Sequence, residues 1–244
     1  MEGREALASL VFVHGGLHGA WCWERVLPHL IAAGHEAIAI DLPGADGVMA
    51  AATVTLDRYR DALLGEIAGR SSTPILVGHS LGGRTVSAAA EARPDRVRAL
   101  VYLAALVPQI AGQAPPPVPG KGNVIREGFV PTADGASVTI SRAAAMEGFY
   151  SGTAADDAER AYARLVPQPL GPMRDPLVVT RERWGSVPAH YILTLQDRGI
   201  PVAAQRAMAA AMPGVVTHEL RSDHSPFYSC PEELVRILLQ IADG

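Results

Sequence analysis

Pro74-Ile75-Leu76-Val77-Gly78-His79-Ser80-Leu81-Gly82-Gly83 decides how the rest of the chain is read. Ile75, Leu76 and Val77 make the short apolar run of a strand buried on both faces. Gly78-His79-Ser80-Leu81-Gly82 matches G-x-S-x-G, in which a serine is held on a sharp, strained strand-to-helix turn. Such a turn needs small neighbours, and Gly78, Gly82 and Gly83 supply the room. The serine hydroxyl then points out of the turn, with the amide of Leu81 facing the same space. Val86 and a series of alanines follow, so the motif lies between a strand pattern and a helix pattern, the context it requires. The competing reading, a glycine-rich turn that cradles a phosphate, lacks the G-K-[ST] that would accompany it. Ser80 is the candidate nucleophile.

Upstream, Leu10-Val11-Phe12-Val13 reads as a buried strand running into His14-Gly15-Gly16-Leu17-His18-Gly19. A glycine-rich loop after the first strand bends so that its amides face a pocket, and such a loop supplies the second oxyanion donor in hydrolases that carry the elbow. Trp21, Trp23, Val26, Leu27 and Leu30 form a helix-period face; both tryptophans are expected in the core rather than in a ligand cage. Ala37 to Ile40 is the next strand, and Asp41 after it reads as a loop-tying residue. Leu56, Tyr59, Leu63 and Ile67 recur with helical spacing behind Thr55, a residue suited to the N-cap.

Downstream, Val97 to Leu103 gives another strand, and then the strand–helix alternation stops. Pro108, Pro115, Pro116, Pro117 and Pro119 fit no regular core element. From there to about Gly185 the expectation is short helices and loops, with Phe129, Phe149, Tyr150, Tyr162 and Trp184 scattered through them. Alternation resumes at His190 to Leu195, with a helix over Ala203 to Met212 and a short strand at Val215-Val216. An amphipathic last helix carries Leu234, Ile237, Leu238 and Ile241, with Ser229, Pro231 and Glu232 as start signals. Alternating βα units predict a parallel sheet covered on both faces. The expected organisation is an α/β core of residues 1–107 and 186–244, with residues 108–185 inserted as a cap.

Bulk properties narrow the class. The chain has 244 residues, 48% of them hydrophobic, enough for a large core, and its net charge of -4 leaves no basic footprint for nucleic acid. Cys22 and Cys230 make no zinc or CxxC spacing, and can be read as a pair or as two free thiols. No apolar run reaches membrane-spanning length, and Met1 to Glu5 lack the shape of a signal peptide, so a cytoplasmic protein is expected.

A serine hydroxyl needs a base, and the base an orienting carboxylate. In this architecture they follow in the order Ser, Asp or Glu, His. His190 and His218 lie inside strand patterns and face a sheet surface. His224, in Arg221-Ser222-Asp223-His224-Ser225-Pro226, follows the last strand, at the end where open α/β sheets bind ligands. It is the candidate base. Asp197 follows the His190–Leu195 strand and is the candidate acid, with Asp223 the alternative. No metal or organic cofactor is required by this chemistry; the expected partner is a small-molecule ester.

Val13-His14-Gly15-Gly16-Leu17-His18-Gly19-Ala20-Trp21-Cys22-Trp23 resembles the opening of the methyl-salicylate-esterase and hydroxynitrile-lyase group of α/β-hydrolases. The resemblance continues at Ala33-Gly34-His35, Asp41-Leu42, Gly78 to Gly83, Leu165 to Leu170, Gly185-Ser186-Val187, Asp197 and Asp223-His224. It implies the α/β-hydrolase fold, an apolar pocket under a small cap, and small esters with aromatic or cyclic acyl parts. It makes the amides of Gly16 and Leu81 the oxyanion donors and sets Gly15, His18 and His79 against the substrate. It also allows a homodimer. Two positions depart from the lyases: their lysine after the catalytic histidine is Ser225 here, and their threonine after the first-loop histidine is Gly15. Other outcomes on the same fold are a lactonase, an acyl transferase, a lyase, or a low-turnover binding protein.

Overall fold

The computed structural model describes residues 8–45, 49–116 and 123–244. The expected features at Met1 to Glu5, Pro117 and Pro119 lie outside the described residues. Six strands form one parallel sheet: β1 (Ser9–Val13), β2 (Glu36–Ile40), β3 (Ile75–His79), β4 (Ala99–Leu103), β5 (Ala189–Thr194) and β6 (Val216–Leu220). Their order is β6-β5-β4-β3-β1-β2. β1, β3 and β4 are buried along their whole length, which is why they read as unbroken apolar runs. One face of the sheet packs Phe12, Val77, Val101 and Ile192 against the final helix, Pro231–Asp243, and the Leu27–Ala32 helix. The other packs Val11, Leu76, Leu100 and Tyr191 against Leu56–Ala68, Gly82–Ala92 and Val202–Ala210.

Register sets the site. Val13 pairs with Gly78, His79 with Leu103, Leu103 with Ile192, and Thr194 with Leu220. The loops after β1, β3, β5 and β6 therefore leave the sheet at one edge and one level.

Several local expectations are met. Thr55 caps the Leu56–Ala68 helix by accepting from the Arg58 amide, and Asp41 ties the first loop by accepting from the Ala20 amide at 2.7 Å. Others are corrected. The helix read over Trp21–Leu30 is a 3-10 turn, Ala20–Trp23, followed by a separate helix, Leu27–Ala32, with Pro28 in its first turn. Ser229 does not cap the last helix. It ends the short Pro226–Ser229 helix, and its hydroxyl donates to Asp223. The strand read at Val215-Val216 begins at Val216 and runs to Leu220. The stretch between β4 and β5 holds more than helices and loops. Phe129–Pro131, Ser137–Ile140 and Gln168–Pro169 form a three-stranded sheet with antiparallel pairings. These strands are short and mixed in polarity, and leave little periodicity to read. Trp23 is core, against Phe12 and Phe227. Trp21 is only half-buried, stacked on His18 and covered by the Arg164 guanidinium at 4.5 Å. Cys22 and Cys230 are both free.

Candidate active site

Ser80 follows β3 with φ of 50°, a left-handed conformation that costs a non-glycine residue about 1–2 kcal/mol. The surroundings enforce it. The Ser80 amide donates to the Leu103 carbonyl at 3.1 Å, and the Ser80 carbonyl accepts from the amides of Gly83 and Leu106. The helix that follows comes so close to β1 and β3 that side chains are excluded. A Cβ on Gly82 would lie 2.7 Å from the Val13 and His14 carbonyls, and one on Gly78 2.8 Å from the Gly82 carbonyl.

His224 Nε2 lies 3.0 Å from Ser80 Oγ, and His224 Nδ1 lies 2.7 Å from Asp197 Oδ2. Ser80 is partly exposed, whereas the side chains of His224 and Asp197 are fully buried. Asp197 accepts four further bonds: from the amides of Gly199 and Ile200 on Oδ1, and from Thr194 Oγ1 and Gln205 Nε2 on Oδ2. This is a carboxylate held in one orientation with its lone pairs occupied. Asp223 points elsewhere. It accepts from the Gly152 amide and Thr153 Oγ1 of the insert, and from the Ser225 amide and Ser229 Oγ of its own loop. His190 and His218 stand in β5 and β6, 3.1 Å apart and paired with each other.

The loop after β1 brings Gly15 and Gly16 beside the nucleophile. A Cβ on Gly15 would lie 3.0 Å from Ser80 Cβ, and one on Gly16 3.5 Å from the Leu81 side chain. Among the described residues the amides of Gly16 and Leu81 have no protein acceptor. The loop is wired by two histidines. His14 Nδ1 donates to the Gly15 carbonyl at 2.8 Å, and its Nε2 accepts from the Leu42 amide. His18 Nδ1 donates to the Gly16 carbonyl at 2.9 Å, and its Nε2 accepts from Tyr150 Oη at 2.9 Å. Burial holds both rings neutral, pushing His14 down and His18 down to about 3.

Of the residues expected against the substrate, His18 and His79 are both held by contacts within the protein. Both ring nitrogens of His18 are engaged. His79 Nε2 donates to the His224 carbonyl at 2.8 Å, and its buried Nδ1, with no hydrogen-bond partner among the described residues, lies 2.8 Å from where a Cβ on Gly15 would be. Burial, reinforced by the neighbouring histidines, keeps His79 well below the ordinary histidine pKa. Sequence reasoning missed Tyr150, Gln168 and the insert's bonds to Asp223, because each partner lies far along the chain. Among the described residues no group of three or more His, Cys, Asp or Glu could hold a metal ion, and no helix is long and apolar enough to cross a membrane.

A profile described as the alpha/beta hydrolase family matches residues 10–237. The chain is similar to esterase PIR7B of Oryza sativa subsp. japonica, 31% identical over 96% of this chain and 95% of that one. It is similar to methylesterase 7 of Arabidopsis thaliana, 32% identical over 96% of each. Among solved structures it is similar to a pyrethroid hydrolase from Sphingobium faniae JZ-2, with a TM-score of 0.85 at 27% identity, covering 98% of both chains.

Proposed function

The chain belongs to the α/β-hydrolase family and is a carboxylic ester hydrolase, and on that premise we propose that it works as a serine esterase with Ser80 as nucleophile, His224 as base and Asp197 as orienting acid. Ser80 Oγ attacks the ester carbonyl carbon while its proton passes to His224 Nε2. The negative charge on the carbonyl oxygen is received by the amides of Gly16 and Leu81, each such donor contributing about 3 kcal/mol in the transition state. The C–O bond to the alcohol then breaks, and His224 returns the proton to the leaving oxygen. Water, deprotonated by His224, attacks the acyl carbon; the bond from that carbon to Ser80 Oγ breaks, His224 returns the proton to Ser80, and the acid leaves. Asp197 keeps the proton of neutral His224 on Nδ1 and stabilises the imidazolium. The substrates proposed are small esters with a compact aromatic or cyclic acyl part; the named methylesterase and pyrethroid hydrolase relatives support the ester class.

The observation that carries this reading is the continuous hydrogen-bonded path from partly exposed Ser80 Oγ through His224 to buried Asp197. The test is labelling with a serine-directed fluorophosphonate, beside a screen of esters graded in acyl and alcohol size. Modification of Ser80 alone, with turnover abolished in Ser80→Ala, is the expected result. A labelled residue elsewhere in the peptide map, or tight ester binding without turnover, overturns it.

A further inference from the structure

We propose that Gln168, in the insert, is a positioning residue for the oxyanion amide of Gly16 and acts through Leu17; this rests on reading Gly16 as an oxyanion donor. Leu17 is the pivot of the first loop. It is not a glycine, yet its φ is 68°, and the chain holds that conformation only if its neighbours impose it. Both peptide groups of Leu17 are gripped by one segment of the insert. Its amide donates to Gln168 Oε1 at 3.3 Å, and its carbonyl accepts from the Val166 amide at 2.9 Å.

The Gln168 amide has no freedom to turn away. Its Nε2 donates to the Pro169 carbonyl at 2.9 Å and to Tyr59 Oη at 3.2 Å, which leaves Oε1 facing Leu17. Tyr59 belongs to the buried face of the Leu56–Ala68 helix, so the core anchors Gln168 from behind. Gln168 is itself buried to 4% exposure.

The consequence falls on Gly16. The peptide joining Gly16 to Leu17 is held at its carbonyl by His18 Nδ1 and at its amide by Gln168 Oε1. The preceding peptide, which carries the Gly16 amide, is held at its carbonyl by His14 Nδ1. Gln168 also packs against Gly16 directly: a Cβ there would meet Gln168 Oε1 at 3.5 Å and the Leu81 side chain at the same distance. With Oε1 removed, the Leu17 amide loses its acceptor, and the Gly16–Leu17 peptide is held at one end only. The Gly16 amide, whose own peptide is still tied at the Gly15 carbonyl by His14, then loses the restraint on its C-terminal side that aims it at the developing oxyanion.

The test compares Gln168→Met, which removes the acceptor at similar length, with Gln168→Glu, which keeps an oxygen facing Leu17. Two ketones report on the site: 2,2,2-trifluoroacetophenone, whose adduct with a serine carries an oxyanion, and acetophenone, which binds without one. Phenyl acetate is the substrate. In Gln168→Met, kcat falls about ten- to a hundredfold with KM little changed, since a displaced donor costs less than the 100- to 1,000-fold of an absent one. Affinity for the trifluoroketone falls in the same proportion, affinity for acetophenone holds, and Gln168→Glu recovers most of both losses. An unchanged ratio of the two ketone affinities in Gln168→Met overturns the proposal, even if kcat falls, because a merely structural role weakens both alike. If Gln168→Met does not fold, Gln168→Asn, which withdraws the oxygen by one methylene, is read by the same ratio. Equal affinity of the wild-type protein for the two ketones is a different failure: it removes the oxyanion reading on which the proposal stands.

Discussion

His79 donates through Nε2 to the backbone carbonyl of His224 at 2.8 Å. The residue before the nucleophile thus carries the backbone of the base, and Gly15 controls whether it can. A Cβ on Gly15 would lie 2.8 Å from His79 Nδ1 and 3.2 Å from its Cε1. Gly15→Ala must therefore push the ring, and with it the carbonyl of His224. The expected loss is about 1–3 kcal/mol of stability, typical of overpacking, together with a fall in kcat larger than any change in KM. Chemical denaturation and steady-state kinetics check both, and a Gly15→Ala protein with unaltered kcat would show that the two histidines are not coupled.

The two aspartates that compete for the role of acid are separated by what they touch. Asp197 accepts from His224 and from four other donors, whereas Asp223 joins the insert at Gly152 and Thr153 to the loop at Ser225 and Ser229. Asp197→Asn turns an amide toward those donors and disturbs the histidine tautomer, so kcat should fall by about 10,000-fold. Asp223→Asn should lose stability, about 1.5–3 kcal/mol for each charge-assisted bond broken, with a much smaller change in kcat. Melting temperature and kcat measured on both variants decide it; the reverse order of kcat losses reassigns the acid.

What the sequence made legible were residues whose position follows from the sheet. Ser80 and Asp197 each follow a strand whose apolar run is visible, His224 follows one betrayed only by Val215-Val216, and parallel register delivers all three to one edge. What stayed hidden were contacts that topology alone does not set. The wiring of His18 is one of them, because Tyr150, which donates to its second nitrogen, lies far along the chain. Ser229 reads as a cap because it precedes Pro231, but a buried carboxylate, Asp223, competes for its hydroxyl and wins. The strands around Phe129, Ser137 and Gln168 are too short to carry a period.

Acid should destabilise this fold earlier than its carboxylates alone would. His14, His18 and His79 are buried with pKa values below the ordinary 6.5, about 3 for His18. In the unfolded chain each binds a proton near pH 6.5, while the folded chain refuses it. Their contribution is therefore complete above about pH 6.5 and is lost as pH falls toward the folded values, at up to about 1.4 kcal/mol per pH unit for each ring. Urea midpoints taken from pH 7.5 to 4.5 should fall steeply, and His18→Gln should make the slope shallower. Midpoints that hold constant down to pH 5 would mean that the folded protein takes up these protons.

Cyanohydrin cleavage should be inefficient, although the chain resembles hydroxynitrile lyases. In those lyases a lysine follows the catalytic histidine, and its ammonium can stabilise departing cyanide. Here Ser225 stands there, fully buried, with an uncharged hydroxyl that has no hydrogen-bond partner among the described residues. The threonine whose hydroxyl can hold the substrate hydroxyl is replaced by Gly15, and the His79 ring fills the space a side chain would take. Ser225→Lys with Gly15→Thr should therefore not create a lyase while His79 is present, since the threonine and the imidazole compete for one volume. None of these positions removes the Ser80–His224–Asp197 path or the two free amides, so ester hydrolysis should persist in the wild-type protein. Purified protein given mandelonitrile beside phenyl acetate, each corrected for spontaneous decay, provides the check. Cyanide release at a rate comparable to ester hydrolysis, and abolished in Ser80→Ala, would show that neither the lysine nor the threonine is needed for lyase chemistry on this scaffold.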